Sequence, residues 1–223
     1  SALTYGWMIF QVPETLIGTA VGVAILPALA DLFAQGREQD FRDTVQRAVQ
    51  VLLGLARPIA AILGLGLRPW LALAFDLGPE GTDLLLWVSR VYLLGLAGQC
   101  LMEVAGRSFY ARQRPWLAFV GALLNLALFA GVGVLLFRSL GAPGIALADA
   151  VAYTIQAACL LVLLGRRMVE PVRASATLGR GLLAAVLGGG VVLLVAGLGS
   201  AAPLPSALIG MALGAGLALL VVW

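Results

Sequence analysis

The sequence contains no histidine and no lysine, so all 14 of its basic side chains are arginines. Without imidazole, the chain lacks the usual general base and a common metal ligand. Its two cysteines, Cys100 and Cys159, lie inside apolar runs, where a thiol usually acts as a small buried hydrophobe. No nucleophile is spaced with a base, and no carboxylate pair has a recognisable catalytic spacing. These absences predict that the chain is not an enzyme and holds no metal or other cofactor.

Charged residues are also scarce, at 11% of the 223 residues, whereas 61% are hydrophobic and the mean hydropathy is +1.02. A soluble domain carries about a quarter charged residues. Several apolar runs reach the ~20 residues that cross a bilayer core, and the alternation typical of barrel strands is absent. The net charge of +3 does not indicate nucleic-acid binding, because the arginines fall between apolar runs. The pattern predicts an all-α, polytopic transmembrane helix bundle.

Breaks rich in charge, proline or glycine divide the chain into seven predicted spans. The spans cover 5–33, 44–76, 82–111, 115–138, 142–167, 177–199 and 204–223. We expect kinks at Pro13, Pro27 and Pro58 rather than chain breaks, because neighbouring helices or water satisfy the freed carbonyls. After Gly66, the end of the second span is expected to form a separate half-helix. The predicted organisation is a five-helix unit (1–167), a basic linker (168–176) and two further helices (177–223).

The loops differ strongly in arginine content. One side carries ten, and the other has only Arg68 and Arg138 nearby. The ten are Arg37, Arg42, Arg47, Arg107, Arg112, Arg114, Arg166, Arg167, Arg173 and Arg180. The positive-inside rule therefore predicts a cytoplasmic C-terminus and an external Ser1. Because the chain starts without Met and stops in an apolar run, we expect it to be part of a longer protein. With Ser1 outside, a cytoplasmic natural N-terminus would require an odd number of preceding spans.

Polar side chains at membrane depth are the candidate cavity residues, because they are costly there and usually face a bundle interior. They are Glu14, Arg57, Arg90, Glu103, Asn125 and Asp149. Arg57 is the strongest candidate. Alternatives remain for others: Arg90 can snorkel outward, and Asp149 can reach the outer interface. Glu103 lies four residues before Arg107, a spacing that predicts a local ion pair.

Several segments carry a resemblance to a known family. Gln11-Val12-Pro13 is followed by Gly18-Thr19-Ala20-Val21-Gly22-Val23-Ala24-Ile25-Leu26-Pro27, and a later segment reads Arg107-Ser108-Phe109-Tyr110-Ala111-Arg112-Gln113. Asn125 precedes Gly141-Ala142-Pro143-Gly144-Ile145-Ala146-Leu147-Ala148. In order and spacing these resemble the C-terminal half of the lipid II flippases of the MurJ/MviN family. Arg107, Phe109, Tyr110 and Ala111 carry the most specific part of the motif. The chain departs from the family at Met8, where an arginine is usual, and at Arg114-Pro115, which replaces a longer segment.

The resemblance implies spans eight to fourteen of a two-lobed transporter of the MOP superfamily in the bacterial inner membrane. Such proteins carry undecaprenyl-pyrophosphate-linked peptidoglycan precursor (lipid II) from the inner to the outer leaflet by alternating access. The implied partners are that precursor, membrane lipids and the missing N-terminal half, and the last two helices would form a groove for the lipid tail. The sequence does not identify a coupling cation for this transport. Because Met8 stands where the family usually has an arginine, another polyprenyl-linked glycan is an alternative substrate. The alternatives are a cation-coupled small-molecule exporter, with Glu14 and Asp149 as coupling carboxylates, and a non-transporting membrane scaffold.

Overall fold

The computed structural model describes residues 1–75, 77–166, 175–198 and 203–222, and these ranges fold as helices joined by short connections. One π-helical segment, Thr15–Thr19 (the π-turn), joins the first two α-helices. The α-helices are α1 (Ala2–Glu14), α2 (Ala20–Ala34), α3 (Glu38–Gly66), α4 (Arg68–Ala74), α5 (Gly78–Leu94), α6 (Leu96–Ala111), α7 (Pro115–Leu140), α8 (Ala142–Gly165), α9 (Ser175–Leu198) and α10 (Pro203–Val222).

Length and hydropathy mark most of these helices as membrane spans. Five segments of the described chain qualify, and the pair α5 and α6 makes a sixth if it counts as one bent span. The five are Ala2–Ala34, Glu38–Gly66, Pro115–Leu140, Ala142–Gly165 and Leu204–Val221. Helix α9 contains a shorter apolar segment, Leu182–Val195. The predicted transmembrane helix bundle is confirmed, whereas the count of seven spans is not.

The third predicted span, 82–111, corresponds to the pair α5 and α6, which are bent by 40° at Gly95. At this bend the chain packs closely against α8. A Cβ atom on Gly95 would lie 2.7 Å from Cβ and 2.8 Å from Cα of Ala150. Three residues later, a Cβ on Gly98 would lie 2.8 Å from Cα of Thr154. Small residues of this kind let membrane helices approach backbone to backbone.

The prolines lie as expected inside helical segments. Pro27 is inside α2 and Pro58 is inside α3, whereas Pro13 is followed almost at once by the π-turn. The separate short helix expected after Gly66 is present as α4. Neighbouring helices supply the packing that lets these irregular turns persist at membrane depth.

The main hydrophobic core lies among α1, α2, α3, α5, α6, α7 and α8. Its fully buried members include Phe41, Leu52, Val88, Leu96 and Phe109. A second, smaller cluster joins α3 to the last two helices and consists of Ile62, Ala184, Val192 and Ala218. The predicted linker 168–176 lies outside the described residues, except that 175–176 begin α9. Through the second cluster, the last two helices pack on each other and on α3.

Candidate functional site

A cavity of about 920 Å³ (the larger cavity) opens between α3, α5, α6, α8 and α9. Its walls are almost entirely aliphatic or glycine, and its polar lining side chains are Arg57, Arg90, Thr154 and Arg166. No acidic residue lines it in the described part of the chain. A long apolar chain can bury its surface against such walls, while the guanidinium groups attract an anion. The larger cavity therefore suits an anionic amphiphile.

Arg57 and Arg90 reach this cavity from different helices. Arg57 projects from the middle of α3, the location expected for the strongest of the candidates. Arg90 lies on α5, and its Nε donates a 2.6 Å hydrogen bond to the carbonyl oxygen of Gly64. Gly64 is in the last turn of α3, where carbonyl groups lack partners within the helix. Arg90 is thus held against the last turn of α3.

A second cavity of about 470 Å³ (the smaller cavity) lies between α2, α6, α7 and α8. It is more polar than the larger cavity and contains both acidic and basic groups. Its polar lining residues are Glu103, Arg107, Tyr110, Asn125, Tyr153 and Gln156. Four of the sequence-predicted residues are therefore brought together here: Glu103, Arg107, Tyr110 and Asn125.

Glu103 and Arg107 form the ion pair that their spacing predicted. The Arg107 guanidinium donates to Oε2 of Glu103 from NH2 at 2.7 Å and from Nε at 3.1 Å. A Cβ atom on Gly22 would lie 2.8 Å from Nε of Arg107, so α2 packs directly against the guanidinium. The pair cancels its own charge, and the smaller cavity has no other charged lining residue in the described chain.

Glu14 is buried at the end of α1, with only 5% of the residue exposed. Two threonines of the π-turn satisfy its carboxylate: Thr19 donates at 3.2 Å and Thr15 at 3.4 Å. A residue five positions ahead comes into register because the π-helix bonds residue i to i+5. A Cβ on Gly18 would lie 2.9 Å from Sγ of Cys100, which shows how closely α6 approaches the π-turn. The sequence identified Glu14 but not its threonine partners.

Asp149 is half-buried on α8 and lines neither cavity. It lies close enough to Tyr92 and Tyr153 to interact electrostatically with both. Glu14 likewise lines neither of the two cavities. Within the described ranges, no cluster of three or more acidic and cysteine side chains could hold a metal ion.

The Arg-x-Phe-Tyr-Ala segment divides its side chains between core and surface. Phe109 and Ala111 are buried, whereas Tyr110 is half exposed at the rim of the smaller cavity. The next residue, Arg112, was counted from the sequence as an orientation signal and as part of the family-like segment, without a structural role. Its guanidinium pairs with both carboxylate oxygens of Glu38, at 2.6 Å for Oε1.

Comparisons with known proteins agree with one another. The sequence profile described as lipid II flippase MurJ matches residues 1–213. A probable lipid II flippase MurJ from Rhizobium meliloti is 32% identical over 167 residues, which cover 74% of this chain and 31% of the relative. The corresponding protein from Rhizobium tropici is 31% identical over 170 residues, covering 75% and 32%. The chain spans about a third of the length of these curated relatives.

A solved structure, a lipid II flippase MurJ in an inward closed conformation, is similar over 99% of this chain and 46% of that one. The TM-score is 0.81, and the sequence identity is 18%. This likeness shows that the two chains share a fold.

Proposed function

The chain belongs to the lipid II flippase MurJ family, and from that premise we propose that it forms part of a transporter of lipid-linked peptidoglycan precursor. In this proposal the complete protein moves undecaprenyl-pyrophosphate-linked precursor from the inner to the outer leaflet of the bacterial cell membrane by alternating access. The described residues supply walls for the lipid and cationic groups for its pyrophosphate.

The observation that carries this proposal is the composition of the larger cavity. Arg57, Arg90 and Arg166 are set in walls that are otherwise nearly all apolar, and no acidic side chain of the described chain lines them. A guanidinium presents its donors in a planar fork that matches a phosphate oxygen pair. Apolar walls favour a polyprenyl chain by about 25 cal/mol per Å² of apolar surface removed from water. A cation exporter would need acidic groups in its cavity, so that alternative is not favoured.

Complementation tests the proposal. The complete reading frame that contains this chain is expressed in a bacterium depleted of its own lipid II flippase, and growth and lipid II exposed on the outer leaflet are measured. We expect both to be restored. Normal expression without restored lipid II exposure contradicts the proposed activity.

The role of the cavity is tested by Arg57→Ala. Losing one charge-assisted contact of about 1.5–3 kcal/mol lowers lipid II exposure roughly tenfold or more. Arg138→Ala is the matched control, because Arg138 is exposed at the end of α7 and lines neither cavity. Equal lipid II exposure in wild type and Arg57→Ala would refute the assignment of the larger cavity as the lipid-binding site. The transport activity itself is tested separately, by the complementation experiment.

We further propose that the arginine-rich loops and the C-terminus face the cytoplasm. The support is the ten-to-two distribution of arginines between the two sets of loops. A cysteine placed beside Gly36, in the loop between α2 and α3, should react with a membrane-impermeant thiol reagent only after the cells are opened. Labelling in intact cells would contradict this orientation.

A further inference from the structure

The arginines that line the larger cavity lie at different levels of the helix bundle. Nε of Arg90 donates to the carbonyl oxygen of Gly64, so this guanidinium is level with the last turn of α3. Arg57 precedes Gly64 by seven residues, close to two helical turns, and therefore lies on the same face of α3 about 10 Å along the helix axis. Arg112, just after α6, lies over the ring of Phe41 near the start of α3, so α3 runs antiparallel to α5 and α6. Arg57 is therefore displaced from the level of Arg90 towards the end of the bundle at which α6 ends.

Arg166 lies much farther along the bundle in the same direction. Gly95 approaches Ala150, and three residues later Gly98 approaches Thr154, so α8 runs parallel to α5 and α6. Arg166 follows Thr154 by twelve residues, which places it about 18 Å beyond the level of Gly98.

The two ends of the larger cavity are too far apart for one headgroup to contact both. Gly98 follows Arg90 by eight residues, or about 12 Å along the helices. Arg90 and Arg166 are thus about 30 Å apart along the cavity, a length similar to the hydrocarbon core of a bilayer. Two linked phosphates are much shorter, so they contact Arg90 or Arg166 but not both, even when the two arginine side chains extend towards each other. Arg57 lies between the two ends.

The arginine at each end can hold an anion. Nε of Arg90 is bonded to Gly64, whereas its two terminal amino groups donate no hydrogen bond to any described residue. Those two groups form one edge of the planar guanidinium fork, which matches a pair of phosphate oxygens. Arg166 is exposed at the C-terminal end of α8. No carboxylate among the described lining residues competes with an anionic headgroup at either end.

We propose that the larger cavity holds the diphosphate of its lipid at two positions in turn, one at Arg166 and one at Arg90, with Arg57 between them. The inference rests on the proposed function. With the arginine-rich loops in the cytoplasm, the Arg166 position receives the headgroup from the inner leaflet, and the Arg90 position holds it closer to the outer leaflet. The apolar walls between them keep the lipid chain in contact with the protein while the headgroup moves.

The test maps where a diphosphate headgroup lies in the complete protein purified in detergent. The probe is a polyprenyl diphosphate whose terminal phosphate is esterified with a short alkyl diazirine, which labels neighbouring residues when it is illuminated. Labelled residues are identified by mass spectrometry, and excess unmodified polyprenyl diphosphate serves as the competitor. The wild type should be labelled at both ends of the cavity, at Val162 near Arg166 and at Leu93 near Arg90, and the competitor should reduce both labels.

Single substitutions separate the two positions. Arg90→Gln should reduce labelling of Leu93 about tenfold, the effect of losing one charge-assisted contact, and should leave labelling of Val162 at or above the wild-type level. Arg166→Gln should do the reverse. Retained labelling at one end also reports that the variant is folded. Arg138→Gln is the matched control, because Arg138 is exposed at the end of α7 and lines neither cavity, and it should keep both labels.

The inference and the proposed function fail in different ways. If the competitor reduces labelling at only one end of the wild-type cavity, the headgroup has a single binding position. The same follows if Arg90→Gln and Arg166→Gln each reduce both labels equally. In either case the inference is wrong and the proposed function stands. If the competitor reduces labelling at neither end of the wild-type cavity, the larger cavity holds no diphosphate lipid, so its role in the proposed function fails and this inference fails with it.

Discussion

Arg112 joins the ends of three helices, and replacing it tests which of its contacts stabilises the fold. It lies just after α6, and its guanidinium carbon lies 5.2 Å from the ring centroid of Phe41 in α3 and 5.8 Å from that of Phe33 in α2. The same guanidinium pairs with Glu38 at the start of α3. Arg112→Met keeps most of the apolar stem but removes the charge and the planar group that lies over the two rings.

The exposures of the partners set the magnitude of each contact. The Arg112 side chain is 11% exposed, whereas Glu38 is 50% exposed, so water screens the ion pair. Such a pair contributes about 0–1 kcal/mol. Each cation–π contact contributes about 0.5–2 kcal/mol, with the larger value for desolvated groups. We therefore expect Arg112→Met to lower the free energy of unfolding by about 2 kcal/mol, mainly through loss of the two ring contacts.

The assay is unfolding in mixed micelles of mild detergent and dodecyl sulfate, followed by tryptophan fluorescence. A double-mutant cycle with Glu38→Gln isolates the ion pair, because it subtracts the effect of the glutamate charge on the first turn of α3. The coupling energy should stay below about 1 kcal/mol, the upper end for exposed pairs. A coupling energy that accounts for most of the Arg112→Met effect would refute the reasoning from exposure.

Two further predictions use the same unfolding assay. Gly95→Ala should lower the free energy of unfolding by about 1–3 kcal/mol, because the new Cβ would lie 2.7 Å from Cβ of Ala150. Gly131→Ala is the control, because nothing lies within 4 Å of its new Cβ, and it should change that free energy by less than about 0.5 kcal/mol. Equal effects of the two substitutions would contradict the packing argument. Glu103→Gln should lower the free energy of unfolding by about 2 kcal/mol. Breaking a fully buried ion pair costs about 3–5 kcal/mol, and the loss is smaller here because the side chains of Arg107 and Glu103 are 18% and 25% exposed. Exchanging the two residues, as Glu103→Arg with Arg107→Glu, should recover most of that loss, and no recovery would mean that charge pairing is not the cause.

Hydropathy, together with single proline and glycine residues, predicted those helix ends that one local residue determines. The fourth predicted span, 115–138, agrees with α7 because Pro115 suits a first helical turn and Gly141 ends the helix with φ +64°. The bend at Gly95 was not predictable in the same way. At the bend the chain packs against Ala150, which lies on α8 far along the chain. Patterns within one helix are visible in the sequence, whereas contacts between distant helices are not.

The same distinction applies to the candidate site. The Glu103–Arg107 pair was predictable because its four-residue spacing is a property of one helix. Gln156 was missed, because a lone glutamine in an apolar helix gives no sign of whether its amide meets a partner. Arg112 was read as an orientation signal, since its aromatic neighbours come from two other helices. Residues whose role depends on the packing of several helices are the ones that sequence reasoning does not identify.

The two cavities share one wall, and the charged groups on its two sides differ. Helices α6 and α8 line both cavities: Gly98 and Thr154 face the larger one, whereas Glu103 and Gln156 face the smaller one. At Gly98 the two helices approach so closely that a Cβ atom would meet the backbone of Thr154 at 2.8 Å. No side chain fits between the two helices at that point. Arg57 and Arg90 lie on α3 and α5, which line only the larger cavity, so their charges lie on one side of this wall.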